Sequence, residues 1–297
     1  MSQIHVPIIP RKMNFNLARR STQDWCRDNL LHTAYMNGIS LALPLGEHFF
    51  IRSVRQFEQD VTDPLLKDEI KNFIAQEAIH SRQHEIYNQL LVRDGYDIAP
   101  LEQRTRDALE EGWQESTPME RLAITIALEH ITHVLGDQIL SHPERLQEWD
   151  SEYRAFWLWH AAEEVEHKAV CYDLYRKLGG TYLMRTRTMV TMTARMLEIF
   201  WKNQHDLLQQ TCRMRGLDMF SAGTINRSNL EFIYGAKGIM RGFERAYFAW
   251  FSPNYHPWKH DNRKALDDWK EHKLPLNHLG DIKVRNCTRL TIPLRST

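Results

Sequence analysis

This chain is short of everything that would mark it as a secreted, membrane-spanning or nucleic-acid-binding protein. Its four cysteines, Cys26, Cys171, Cys212 and Cys287, are scattered without a Cys-x-x-Cys pair. That argues against a disulfide framework or a thiolate metal site and suits a reducing cytoplasm. Lysine plus arginine equals aspartate plus glutamate, 38 against 38, which leaves no electrostatic case for nucleic acid. From Met1 to Asn16 there is no basic region followed by an apolar core and a small-residue cleavage site, so no secretory signal is read there. Pro7 and Pro10 make that stretch an expected extended arm. The Met-rich stretch from Thr181 to Gln210 carries Arg185, Arg187 and Arg195, which speak against a transmembrane span. What remains is a chain of 297 residues, 42% hydrophobic, expected to be globular and cytoplasmic.

A more local absence points to the chemistry. No glycine or proline occurs from Ser151 to Leu178, so this stretch reads as unbroken helix. Residues three and four apart share a helix face, which puts His160, Glu164 and His167 together. Upstream, Glu77, His80 and His84 stand at i, i+3 and i+7 on another long helical stretch, so Glu-x-x-His occurs twice. Each motif is preceded by a further acid on its own helix, Glu47 before Glu77 and Glu129 before Glu164. Chain breakers, Thr62-Asp63-Pro64 and His142-Pro143, lie near the midpoint of each pair, as two helix hairpins require. Folded this way, both pairs of acids meet at similar depth inside a bundle.

The order Glu47, Glu77-x-x-His80, Glu129, Glu164-x-x-His167 resembles the ferritin-like di-metal carboxylate bundles. There, two helices each give one Glu and two give Glu-x-x-His. The resemblance covers about residues 40–175 and implies an all-α, ferritin-like four-helix bundle with additional C-terminal helices. His160 adds an imidazole to that six-residue pattern. His-x-x-x-Glu-x-x-His on the fourth helix is similar to the p-aminobenzoate N-oxygenase group, which makes His160 a seventh ligand candidate. The chain as a whole resembles most a family of bacterial proteins catalogued as predicted metal-dependent hydrolases. Where ribonucleotide reductase small subunits place a radical-forming tyrosine, this chain has His84, so a stable tyrosyl radical of that type is not expected. His84 is instead a candidate ligand or base. Thr132 is placed like the threonine that acyl carrier protein desaturases carry near bound oxygen. Glu163 is read as an acceptor for an imidazole N–H, Glu166 as solvated, and His133 as able to reach the site from i+4 of Glu129.

Four segments are expected: an arm over 1–23, the bundle over 24–180, packing helices over 181–251 and a tail over 252–297. A helix is expected from Asp24 to Ser40, interrupted or kinked over Leu41–Gly46. An apolar helix is expected over Asn229–Phe251, and an irregular or extended stretch over Lys283–Thr297. Carboxylate and imidazole donors suit two iron ions, with manganese, mixed iron and manganese, or zinc as alternatives. The expected function is O2 activation for oxidation or oxygenation of a small organic substrate, drawing on an unidentified electron donor. Two-metal hydrolysis of an ester or phosphoester is the alternative, and non-catalytic metal binding a third. No nucleic-acid or membrane partner is expected, and pairing as a homodimer stays open.

Overall fold

The computed structural model describes residues 5–26, 29–219, 231, 235 and 238–272. Among these residues the regular structure is helical throughout. Helix α1 spans Leu30–Arg55, α2 Pro64–Arg93, α3 Ala99–Glu115, α4 Pro118–Ser141, α5 Ser151–His167, α6 Val170–Lys177, α7 Tyr182–Met214, α8 Phe243–Ala249 and α9 Arg263–His272. Helices α1 and α2 pack as one hairpin, and α4 packs with α5 and α6 as the second. The two hairpins meet through α1 against α4 and through α2 against α5 and α6. The charged connector between them is α3, which lies on α1 and α7, while α7 also packs along α4.

The starts of these helices follow from local chemistry. Asp63 accepts from the backbone N–H of Leu65 and Leu66, with Pro64 at the first helical position. Thr117 and Glu120 form a reciprocal capping box ahead of α4. Asp150 caps α5 and Thr181 caps α7. After α2 the chain turns through Gly95 at φ +98°, a conformation that side chains disfavour. The turns between paired helices fall over residues 56–63 and 142–150, at the expected breakers.

Three expectations about helix continuity are corrected. The first helix begins at Leu30, capped by the Asn29 side chain, rather than at Asp24. It then runs through Leu41–Gly46 without interruption. Proline at position 44 lacks an N–H and frees the carbonyl of Ser40 four residues earlier. Asn88 of α2 supplies the missing donor, its Nδ2 reaching Ser40 O at 3.1 Å. Conversely, the stretch Ser151–Leu178 is broken at Lys168–Ala169, directly after His167. No glycine or proline marks the break. It coincides with a tertiary anchor: the buried Lys168 ammonium donates to His260 O and Asn262 Oδ1, both at 2.8 Å, and lies over the Trp258 ring.

Met189 of α7 is buried, and Met184, Met192 and Met196 pack half-buried against the core. No helix among the described residues is long and apolar enough to cross a membrane. The expected continuous helix over Asn229–Phe251 is corrected: residues 229, 230, 232–234, 236 and 237 lie outside the described ones, 239–242 form turns with Gly242 at φ +92°, and the described helix is α8 alone. The expected extended stretch Lys283–Thr297 lies outside them as well.

Candidate metal centre

Seven sequence candidates meet between the hairpins: Glu47 from α1, Glu77 and His80 from α2, Glu129 from α4, and His160, Glu164 and His167 from α5. All are exposed by 5% or less. The His167 Nε2 lies 3.2 Å from Glu77 Oε1, 3.6 Å from Glu129 Oε2 and 3.6 Å from Glu164 Oε1. The His80 Nδ1 lies 3.6 Å from Glu77 Oε1 and 3.8 Å from Glu164 Oε1. The His160 Nε2 lies 3.2 Å from Glu164 Oε1. Gly136 of α4 permits this approach, because a Cβ there would stand 3.3 Å from both Ala161 Cα and Glu164 Cβ.

The imidazoles are aimed by bonds on their far sides. The Nε2 of His80 meets Glu163 Oε2 at 3.0 Å, and Nδ1 of His167 meets Gln76 Oε1 at 2.9 Å. The Nδ1 of His160 meets Nε2 of His84 at 3.2 Å, and Nδ1 of His84 meets Ser40 Oγ at 2.9 Å. Each of the three inner histidines therefore turns its other nitrogen toward the carboxylates. Ser81 Oγ donates to Glu47 Oε2 at 2.8 Å. Phe73 and Trp159 close over His167 and His80, ring centroids 5.0 Å away in each case.

The electrostatics are those of a site built for cations. Burial, then the neighbouring Glu77, pushes the Glu47 carboxyl well up, and burial with Glu77, Glu164 and Glu47 does the same to Glu129. Burial also works against charge on Glu164, but the adjacent His160 and His167 imidazoles outweigh it and hold that carboxyl well below the usual range. Burial disfavours the charged forms of His80 and His167, yet Glu163 and Glu77 raise His80 well above an ordinary histidine, and Glu164 raises His167. The carboxyls of Glu47 and Glu129 and the imidazoles of His80 and His167 thus hold their protons more tightly than such groups ordinarily do. Among the described residues, Glu47 Oε1, both Glu77 oxygens, Glu129 Oε1, Glu164 Oε2, His80 Nδ1 and His167 Nε2 are buried without a hydrogen-bond partner. So many orphaned donor atoms converging on one place would be costly unless a cation answers them, and the residues present fit one.

Thr132 takes no part in this close-packed set: it is half-buried, and its hydroxyl donates to the Glu129 carbonyl at 3.1 Å. His133 is likewise tied back, its Nδ1 being 3.3 Å from the same carbonyl. Cys171 is buried, its thiol pushed well up by burial and then by Glu129, Glu77 and Glu164. Glu166 is not solvated. It is 2% exposed and bound by Arg11 Nη2 at 2.7 Å and Lys270 Nζ at 2.8 Å. Helix periodicity places Glu166 off the ligand face but cannot see that the N-terminal arm and α9 cover it.

Arg11 and Gln76 are the functional residues that sequence reasoning missed. The Arg11 guanidinium also reaches Glu163 Oε1 at 3.1 Å, and Gln76 Nε2 donates to Glu166 Oε2 at 2.9 Å. Gln76 carried a signal, since it precedes His80 by one helical turn. Arg11, in an irregular arm, carried none.

A helical protein closing on a buried set of carboxylates and imidazoles belongs to the class of metal-binding helical proteins. The chain is a member of the family described as predicted metal-dependent hydrolases, whose family model matches residues 9–261. That match takes in the arm with Arg11 as well as the bundle. No curated protein and no solved structure matches the chain.

Proposed function

We propose that this protein holds two metal ions, iron or iron with manganese, and activates O2 to oxidise a small organic substrate. The observation that carries the two-ion reading is the sharing of donors. Glu47, Glu77 and His80 offer ligand atoms within 4.8 Å of one another, and so do Glu77, Glu164 and His167. Glu77 belongs to both groups, and a carboxylate with two oxygens can bridge neighbouring ions. A third group, His80, His160 and Glu164, brings in the extra imidazole. In this reading Glu77 and Glu164 would bridge or cap, Glu47 and Glu129 would be terminal or shifting carboxylates, and His80, His160 and His167 would supply nitrogen.

Oxygen and imidazole donors without thiolate suit iron and manganese. Such a pair, when bound and reduced, supplies electrons to O2. The protein's own contribution is to orient the imidazoles through Glu163, Gln76 and His84, and to exclude water behind Phe73 and Trp159. This burial favours a small apolar reactant over a bulky ester.

Hydrolysis is the second reading, favoured by the family description. There a two-metal site would acidify a water that attacks an ester or phosphoester. The two are separated by elemental analysis of anaerobically purified protein, followed by optical spectra and O2 uptake as O2 is admitted to the iron(II)-loaded form. Two irons per chain with a spectral change and O2 consumption are expected. Zinc or manganese, no response to O2, and cleavage of model esters or phosphoesters would replace this proposal with hydrolysis.

A further inference from the structure

Oxidisable rings lead in series from beside the cluster to the lining of a surface cleft, where the last two, Trp25 and Trp149, are exposed by 4% and 5%. The His84 ring lies 5.2 Å from Trp157 and 6.3 Å from Tyr87, centroid to centroid, and Trp157 lies 6.5 Å from Tyr87. Tyr87 lies 5.1 Å from Tyr153, which stacks on Trp25 at 4.5 Å with 15° between the ring planes. Trp25 meets Trp149 edge-on at 5.0 Å. At that end Trp25 and Trp149 line a surface cleft of roughly 560 Å³, together with Arg19, Arg20, Asp24 and Asp150.

The series follows from helix geometry. Tyr153, Trp157 and His160 share one face of α5, and His84 and Tyr87 share one face of α2, so each helix carries rings on the same side as its ligand candidates. The segment bearing Trp25 is fastened to the start of α5 by a bond from Asp150 N–H to Trp25 O at 2.8 Å. Asn37 ties the middle together, its Oδ1 accepting from Tyr87 OH at 2.6 Å and Trp25 Nε1 at 3.0 Å. A second series, through Trp159, leads from His80 to Phe156 and Phe15, whose rings resist oxidation.

We propose that the series Trp157, Tyr87, Tyr153, Trp25 and Trp149 conducts single electrons inward to the metal centre from a one-electron carrier that docks at the Trp25–Trp149 cleft. The inference rests on the redox reading above. In each transfer the centre, oxidised by O2, takes one electron from the nearest indole and is reduced by one, and the electron deficit passes outward through the rings. The indole at the cleft then takes one electron from the docked carrier, which is oxidised by one. No bond within the protein is made or broken. Each indole can pass through a radical cation with its Nε1 proton in place. The Tyr87 hydroxyl donates to the Asn37 amide oxygen, which is no base, and among the described residues the Tyr153 hydroxyl has no partner to take its proton. The two phenols therefore act as rings between indoles rather than as sites that store a radical.

The test uses full-length iron-loaded protein and the variants Trp157→Phe, Trp25→Phe with Trp149→Phe, and, as a control at an exposed position on α7, Trp201→Phe. Iron content and O2 uptake are measured first; their absence in the parent protein overturns the redox reading and this inference with it. With both present, the oxidised centre is re-reduced by reduced methyl viologen and followed optically. Peptide mapping after O2 exposure without reductant locates oxidised tryptophan. The path predicts re-reduction slower by an order of magnitude or more in Trp157→Phe and in the double variant, and no change in Trp201→Phe. It also predicts oxidation at Trp25 and Trp149 in the parent that disappears in Trp157→Phe. Unchanged re-reduction and an unchanged oxidation pattern in a folded, fully iron-loaded Trp157→Phe protein overturn the path while leaving the redox reading intact.

Discussion

His80 turns Nδ1 toward Glu77 and Glu164 and gives Nε2 to Glu163, 3.0 Å away. Glu163 in turn is held by Arg11 from the arm. The position beside a ligand candidate in sequence thus acts on a different helix's imidazole, and its charge is balanced from the far end of the chain.

Glu163→Gln keeps the shape of that side chain and removes its charge. It should weaken metal binding by ~10–100-fold while leaving the helix content intact, since outer partners of ligating histidines have effects of that size. Competition with a chelator measures the affinity and circular dichroism the fold. Parent-like affinity would show that His80 is not aimed by Glu163.

Metal loading should release protons. Glu47 and Glu129 are raised mainly by burial, and His80 and His167 are raised by carboxylate neighbours that outweigh burial, so the metal-free site retains protons that cations must displace. Affinity therefore rises with pH and falls on acidification, with a slope of about one decade per pH unit for each proton released. Calorimetry in buffers of different ionisation heat counts the protons directly. Affinity independent of both pH and buffer across the neutral range would contradict this assignment of charge.

Asn88→Leu should destabilise the fold by about 1–3 kcal/mol, because the Ser40 carbonyl freed by Pro44 loses its only compensating donor in the described structure. Urea unfolding of the metal-free protein provides the comparison. Adding Pro44→Ala to Asn88→Leu restores an N–H for that carbonyl and should recover part of the loss; no recovery would mean that the carbonyl is not the cause.

Local rules carried much of this protein. The i, i+3, i+4 and i+7 spacings put Glu77 with His80 and His160 with Glu164 and His167 on helix faces whatever their surroundings, because helical geometry alone fixes which side chains are neighbours. Caps such as Asp63 and the Thr117–Glu120 box, and the breakers between paired helices, are equally local, so the hairpins and the acids they bring together were legible before any coordinates.

Several features that depended on a partner distant in sequence were not. Pro44 reads as a kink until Asn88 is seen to answer the freed carbonyl, and the break after His167 has no signal except the contacts of Lys168 with His260 and Asn262. Glu166 reads as solvated until Arg11 and Lys270 arrive from the two ends of the chain. Periodicity reports which face of a helix a residue occupies, whereas burial and charge balance depend on what the folded chain brings against that face. The ligand candidates and the faces they share were therefore set by the sequence alone, and the continuity of their helices, their aim and their enclosure were decided only by tertiary packing.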